Sequence, residues 1–556
     1  MDAAPTNRSR WFNGFLLTVL VFTVSACAFG YVTRMTPPHL ASPTPEDLLV
    51  DGATAHVGPA YLARRGKLWV MHVKGAPAQL GYRHARLTKT LMAEGDRRMG
   101  DLFATYVPSA VFRWALTAVA RVRYRNLDAE FPSTRRAEIF GQARGYADQS
   151  ADLAPAYDRL VYLHGLYDIA LSFERSPLLG CTAFAASGPA TRDGTTPGHT
   201  IVGRNFDLDI DPWFDEDKLV QVVEPENGIA FASVAWPGMT GVVTGMNAEG
   251  IWISVNGGRA AETRSGGVPV VFTTRAVLES ARSLDDALAI IGRDEAMVSH
   301  ILLLADGKTG ESMIVERAPG RPLGVVRDPS AIVLANHFRT PPLRDDPKDA
   351  RIRDITSTEA RQARMEELVA DHRGRIDPVV ATAMLRDRSA VGGAALPLGN
   401  RNATDSLIAT HSVVADLTAR VLWVSEGPHT LGRYRAIDLG ARLALGENAA
   451  DREAAADLPA DALLADGTFE RYRRGARLRR LAAEDTAAGK LDAAADLYRG
   501  ALAIRDNDHL AWRGLAIVDD RRSHHEDARA AWSRVVALAP EAPQARREAE
   551  EHARGH

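Results

Sequence analysis

Two periodicities alternate along this chain, and their order predicts its architecture. Over residues 61–173 apolar positions recur at helical spacing: segments 86–99 and 137–146 carry the pattern and 157–171 repeats it. From residue 181 the period shortens to that of strands. Runs at 231–236, 241–245 and 251–255, the last two separated by the turn Asn247-Ala248-Glu249-Gly250, read as a hairpin or meander. Similar pairs recur at 301–304 with 313–316 around Asp306 and Gly307, and at 412–415 with 421–425 around Asp416, so an antiparallel sheet is predicted. Between them, 273–291 and 359–372 read as amphipathic helices. Strands and helices segregate in runs, which is the grammar of an α+β protein with sheet layers covered by helices.

Beyond about Gly440 the composition shifts to Ala, Arg, Asp and Glu, and turn signals thin out, so 441–556 is predicted to be a separate helical domain. Superposing Tyr498 on Trp532 pairs Ala494 with Ala528, Ala501 with Val535, Leu502 with Val536 and Ile504 with Leu538. That offset is the tetratricopeptide period of 34 residues. Leu478, Leu481 and Ala482 stand one period before Trp512, Leu515 and Ala516, and Pro540 closes the second unit, giving two repeats at about 475–508 and 509–542. Trp512 and Trp532 read first as core of these repeats. A groove for a protein partner is the functional alternative.

Composition narrows the function. The 556 residues are 46% hydrophobic and 25% charged, enough for a real core. A net charge of −3 leaves no basic excess to neutralise phosphates, so nucleic-acid binding is set aside. Arg8 and Arg10 precede an apolar run at 12–29, which is export grammar. Val24-Ser25-Ala26-Cys27 resembles a lipobox, with Cys27 as the lipidated residue; an uncleaved signal anchor is the competing reading, since the run is about as long as a bilayer span. Residues 1–27 are thus expected to be a signal or anchor and 28–60 a tether, Pro- and Thr-containing at 36–46, with the remainder outside the cytoplasm on a membrane.

Cys27 and Cys181 are the two cysteines. An exported chain normally avoids a lone thiol, so Cys181 is either buried and inert or useful. It lies in Leu179-Gly180-Cys181-Thr182-Ala183-Phe184, where helical pattern gives way to strands, and Gly180 leaves little bulk around the preceding carbonyl. Gly203-Arg204-Asn205-Phe206-Asp207 follows about one strand and turn later.

This pair of motifs resembles the cysteine branch of the N-terminal nucleophile hydrolases, which includes choloylglycine hydrolases, penicillin V acylases and the acyl-coenzyme A:6-aminopenicillanic acid acyltransferase family. The long segment before Cys181 favours the last, and Gly75, Pro77, Gly81 and His84 resemble its early signature. Further matches are Asn256 in Ser254-Val255-Asn256-Gly257, Asn336 in Leu334-Ala335-Asn336-His337, and Arg361 in Arg361-x-x-Arg364, so the resemblance spans roughly 65–435. It implies a four-layer αββα sandwich at 181–440, preceded by a helix-rich pro-segment at 61–180 and followed by the helical domain. It also implies self-cleavage between Gly180 and Cys181.

In that chemistry Cys181 supplies both nucleophile and, through its freed α-amine with a pKa of about 8, the base. Arg204 beside the sulfur would favour thiolate. Asp207 would orient the new ammonium, and Asn256 and Asn336 would supply N–H donors to the oxyanion. Arg361 falls on a predicted helix, where a solvated arginine is the default. Each of these residues taken singly has a plainer reading: an ion pair for Arg204 and Asp207, a turn for Asn256 beside Gly257. Their order along one chain is what points to chemistry. His524-His525 lacks ligand-spaced partners, His337 stands alone, and no phosphate loop follows a strand, so no metal or cofactor is expected. The expected substrate is a small acylated amide or thioester, to be hydrolysed or to pass its acyl group to an amine. The rivals are a non-catalytic envelope scaffold acting through its repeats, and a Cys-His peptidase, for which no histidine is placed by motif.

Overall fold

Asn247 shapes the first predicted hairpin: its Oδ1 accepts the main-chain N–H groups of Glu249 and Ile251 at 3.1 and 2.9 Å, and Gly250 takes φ 83°, a value that strains any side chain. The computed structural model that reveals this describes residues 29–146, 155–172, 179–208 and 210–555. Cys27 and the export segment lie outside these residues.

Strands β1 (Leu48–Asp51), β2 (Thr54–Val57), β3 (Ala60–Arg65) and β4 (Leu68–Gly75) come first, followed by helices α1 (Pro77–Tyr106), α2 (Ala110–Arg123), α3 (Ser133–Tyr146) and α4 (Ala156–Ser172). Then come β5 (Leu179–Ala186), β6 (Ile201–Leu208), β7 (Leu219–Pro225), β8 (Phe231–Ala235), β9 (Thr244–Asn247) and β10 (Ile251–Gly257), with α5 (Val270–Ser280) and α6 (Leu284–Arg293) after them. The chain continues through β11 (His300–Asp306), β12 (Ser312–Arg317), β13 (Gly324–Asp328) and β14 (Ala331–Leu334) to α7 (Pro347–Ile355), α8 (Thr358–Asp371) and α9 (Pro378–Leu385). Strands β15 (Ala409–Asp416), β16 (Val421–Ser425) and β17 (Tyr434–Asp438) close the second sheet.

Among the described residues the strands form an 11-stranded sheet, β1-β2-β3-β4-β7-β8-β9-β10-β11-β12-β13, and a six-stranded sheet, β14-β5-β6-β15-β16-β17. Pairing is antiparallel except between β4 and β7, which run parallel. The sheets stack through apolar side chains such as Ala183, Val220, Leu303 and Val413, while a second apolar layer seats α1, α3, α4 and α5 on the large sheet and a third seats α8 and α9 on the small one. This is the expected four-layer α/β/β/α arrangement. Because both faces of β11 are covered, all seven of its residues are buried, which explains why it reads as a continuous apolar run.

Three expectations are corrected. Residues 61–75, read as helical, lie in β3 and β4; β4 sends Leu68 and Val70 to the layer between the sheets and Met71 and Val73 to the helices, so its apolar positions lack a clean two-residue period. The stretch 28–60 contributes β1 and β2 to the large sheet, with Glu46 paired to Arg83 at 2.6 Å, so it is not a free tether. The single helix expected at 273–291 is two, because Ala281 is extended and Ser283 caps α6, its side chain accepting the Asp286 N–H at 3.1 Å.

The C-terminal region is all helical: α10 (Leu439–Leu445), then α11 (Thr468–Ala487), α12 (Leu491–Ile504), α13 (His509–Arg521), α14 (His525–Ala537) and α15 (Pro543–Arg554). Helix α14 begins 34 residues after α12, and α13 ends 34 after α11. The loop before β15 docks on the α14–α15 turn: Asn400 and Asn402 donate to the Ala539 and Pro540 carbonyls at 2.8 and 3.1 Å.

Candidate active site

Strands β5 and β6 pair so that Cys181 lies opposite Phe206 and Gly180 opposite Asp207. This register brings the two motifs together, with Cys181, Arg204 and Asp207 all buried. Arg204 Nη2 reaches to 4.0 Å of the Cys181 sulfur, and its two terminal nitrogens also donate to the Val243 carbonyl at 2.6 Å, the Thr244 hydroxyl and the Val255 carbonyl. Such bonds fix the guanidinium where a thiolate would form.

Arg204 pulls the Cys181 thiol toward thiolate, the direction expected, but in the intact chain it acts against burial. Burial pushes the Cys181 thiol above its ordinary pKa, and the opposing pull of Arg204 does not overcome it. Burial likewise drives Asp207 up to about 7 despite Arg361, Arg401 and Arg204, with Asp405 adding to the rise. A Cβ built on Gly180 would meet the Asp207 Cβ and Oδ2 at 3.5 Å. The carboxyl therefore sits against the peptide that precedes Cys181.

Asn336 follows directly on β14, the neighbour of β5. Its Oδ1 accepts the Cys181 main-chain N–H at 2.7 Å and an Arg361 Nη2–H at 3.0 Å, and these two donors fix the orientation of its amide. Its Nδ2 donates to the Gly257 carbonyl at 3.0 Å, while the Asn256 Nδ2 donates to the Ala335 carbonyl at 2.9 Å. Asn336 thus faces Cys181 as an acceptor rather than as the donor expected from sequence. Each carboxamide retains a second N–H.

Arg361, a match to the family pattern that on its own reads as a solvated helical arginine, stands in the centre of the site. It is buried on α8, its Nη1 donating to the Cys181 carbonyl at 2.5 Å and the Thr182 hydroxyl at 2.9 Å. By contrast Arg364 faces away to Asp387 and Glu367. The early signature residues serve packing: Gly81 and Gly141 let α1 and α3 approach main chain to main chain, and His84 accepts the Gly238 N–H at 3.0 Å. Asn205 bonds the Leu385 and Thr404 carbonyls and is structural. Among the described residues no group of three or more His, Cys, Asp or Glu converges as a metal site.

Two cavities adjoin this centre. One, of about 230 Å³, is apolar and lined by Met99, Leu163, Tyr167, Phe206, Trp236 and Val243. The other, of about 370 Å³, is lined by Gly180, Asp207, Arg361 and Arg401 together with His509 and Arg513 of α13 and Glu541 of the α14–α15 turn. Sequence reasoning missed Tyr167, Arg401 and Glu541, which belong to no motif and meet the site through tertiary contact alone.

Residues 194–427 match the family model described as acyl-coenzyme A:6-aminopenicillanic acid acyl-transferase, a span that begins after Cys181. An "Uncharacterized protein" of Archaeoglobus fulgidus is 27% identical over 267 residues, which is 45% of this chain and 43% of that protein, so the chain spans under half the length of the curated relative it matches. Looser similarity in solved structures extends to a Caenorhabditis elegans N-acylethanolamine-hydrolyzing acid amidase ortholog, at 18% identity and TM-score 0.32, covering 43% of this chain and 93% of that one. Penicillin V acylase from Agrobacterium tumefaciens is 15% identical at TM-score 0.30, covering 47% of this chain and 86% of that one. A conjugated bile acid hydrolase from Clostridium perfringens is 13% identical at TM-score 0.30, covering 47% and 92%.

Proposed function

From the premise that residues 194–427 carry the acyl-coenzyme A:6-aminopenicillanic acid acyl-transferase pattern, we propose that this chain is a cysteine N-terminal nucleophile amidohydrolase or acyltransferase that activates itself by cleavage between Gly180 and Cys181. The observation that carries this reading is the three-way hold on Cys181: Asn336 on its N–H, Arg361 on its carbonyl and Arg204 beside its sulfur.

In the first reaction the Cys181 sulfur attacks the Gly180 carbonyl carbon, the acyl group passes from nitrogen to sulfur as that C–N bond breaks, and the thiol proton passes to the departing nitrogen. Water then hydrolyses that thioester, leaving a Gly180 carboxylate and a free Cys181 amine. The raised thiol pKa supports a chain that stays a neutral thiol until then. Once freed, the amine takes the thiol proton, and Asn336 Oδ1 and Asp207 accept N–H bonds from the resulting ammonium.

In the second reaction the thiolate attacks the carbonyl carbon of a linear amide. The remaining N–H groups of Asn256 and Asn336 stabilise the tetrahedral oxyanion. The ammonium returns its proton to the departing amine, leaving an acyl thioester on Cys181. Water or an acceptor amine then releases the acyl group. The apolar cavity suits the acyl chain, and the larger cavity, with charged residues in its lining, suits the amine, which approaches from the Gly180 side.

Intact mass and N-terminal sequencing of the purified chain test the proposal. A fragment beginning Cys181-Thr182-Ala183, absent from Cys181→Ala, together with acylation of Cys181 by an activated thioester, is the expected result. A wild-type chain that stays whole and takes no acyl group would refute it.

A further inference from the structure

Helix α2 buries none of its side chains, although ten of its fourteen residues are apolar or aromatic. Val111, Phe112, Trp114 and Val119 are 57–77% exposed, and Phe103 and Tyr106 at the end of α1 stand open beside them. A helix of this length needs an apolar face covered to be stable, so this exposed surface calls for an occupant.

Charge selects that occupant. From 110 to 125 the chain has no carboxylate and carries Arg113, Arg121, Arg123 and Arg125. Arginines bordering tryptophan, phenylalanine and valine are the composition of a helix lying in an interface with anionic headgroups. No single described helix is long and apolar enough to cross a membrane, and α1 and α2 bend by 114° at their break. The Arg121 guanidinium sits 5.7 Å from the Phe29 ring centroid, where the described chain begins, and the sequence preceding Phe29 is itself an apolar run. Helix α1 also connects the surface to the site, since it carries Met92 and Met99 in the apolar cavity and continues to Phe103 and Tyr106.

We propose that the α1–α2 hairpin docks flat on an anionic lipid bilayer. If the hydrolase reading holds, the hairpin places the apolar cavity where an amphiphilic acyl amide can enter from the bilayer along α1; the docking itself does not depend on that reading.

Hydrogen exchange of the full chain on phosphatidylcholine vesicles containing phosphatidylglycerol tests this. Exchange over residues 100–125 is expected to slow about tenfold or more on binding, less on phosphatidylcholine alone, and not at all in Phe112→Asp/Trp114→Asp. Unchanged exchange over residues 77–92 shows that the variant is folded. The Cys181→Ala chain should dock like wild type, which separates docking from catalysis. Wild-type chain that floats with vesicles while 100–125 exchanges as fast as in detergent would overturn the proposal. So would a detergent-solubilised dimer that Trp114→Asp dissociates, because a second copy would then be the occupant.

Discussion

Arg361 Nη1 lies 2.5 Å from the main-chain carbonyl oxygen of Cys181, while Nη2 of the same guanidinium lies 3.0 Å from Asn336 Oδ1, the atom that accepts the Cys181 N–H. One planar fork thus fixes both ends of the nucleophilic residue. Lysine has a single ammonium and cannot span this arrangement. Arg361→Lys is therefore expected to slow self-cleavage and amide turnover about 10²- to 10³-fold, the scale of losing one fixed polar contact in a buried site. Single-turnover acylation and the rate of fragment appearance measure it, with Arg364→Lys as a control that leaves both rates nearly unchanged.

Much of the site was legible because consecutive motifs on paired strands are brought together by register: Gly180-Cys181 and Arg204 through Asp207 needed only β5 and β6 to be neighbours. Arg361 was legible only through the family resemblance, because a helical arginine looks solvated until the fold sets α8 against β5. Strand β4 escaped because it is central and covered on both faces, so its apolar residues do not alternate. The role of Asn336 as acceptor was hidden for a different reason: a carboxamide offers both functions, and its neighbours determine which one faces the sulfur.

Asp207 gives a pH signature of opposite sign to an ordinary buried ion pair. Its folded pKa, about 7, lies above the unfolded carboxylate value, so the folded state holds more protons across the interval between them. Stability from this group is present at low pH and is lost as pH rises toward 7. Asp207→Asn removes the titration, so its stability relative to wild type should rise between about pH 4 and 7 and level off above that range. Denaturant unfolding at several pH values checks this, and a variant-to-wild-type difference that is flat with pH would contradict it.

Cleavage before Cys181 would leave two fragments sharing one sheet. Strand β4 of the first pairs with β7 of the second from Trp69↔Leu219 to Gly75↔Pro225, and Arg135 and Arg275 join α3 to α5 through Glu138 and Glu279. The fragments are expected to co-elute in native size exclusion at the mass of the whole chain and to separate only in denaturant. Arg275→Ala strands Glu138 and Glu279 partly unpaired in a buried setting. It should lower stability by about 3–5 kcal/mol, the usual cost of breaking a buried pair from one side.

The apolar cavity predicts the direction of acyl selectivity. Leu163 and Trp236 line it beside Phe206, which pairs with Cys181 across β5 and β6. Leu163→Trp fills space that a long acyl chain would need and spares a short one. Long-chain kcat/KM should therefore fall about 10- to 100-fold relative to short-chain, the range that a few methylenes in an apolar pocket command. Equal losses for both chain lengths would mean that the acyl group lies elsewhere.

The larger cavity makes the corresponding prediction for the C-terminal helices. Glu541 accepts the Arg401 main-chain N–H at 3.1 Å and pairs with His509 Nε2 at 2.9 Å, so it joins the loop before β15 to α13 across the cavity. Burial pulls the Glu541 carboxyl up, but the His509 hydrogen bond and charge, with Arg401, outweigh it and hold the group below its ordinary pKa. Glu541→Ala removes the join while leaving the hold of Asn336, Arg361 and Arg204 on Cys181 intact. Self-cleavage should therefore proceed near the wild-type rate, whereas KM for substrates differing only in the amine should rise about tenfold, the effect of about 1.4 kcal/mol in binding. If instead the helices serve a separate protein partner and take no part in the site, amine-dependent KM will not move, and deletion of the helices will abolish the cellular role that Cys181→Ala leaves intact.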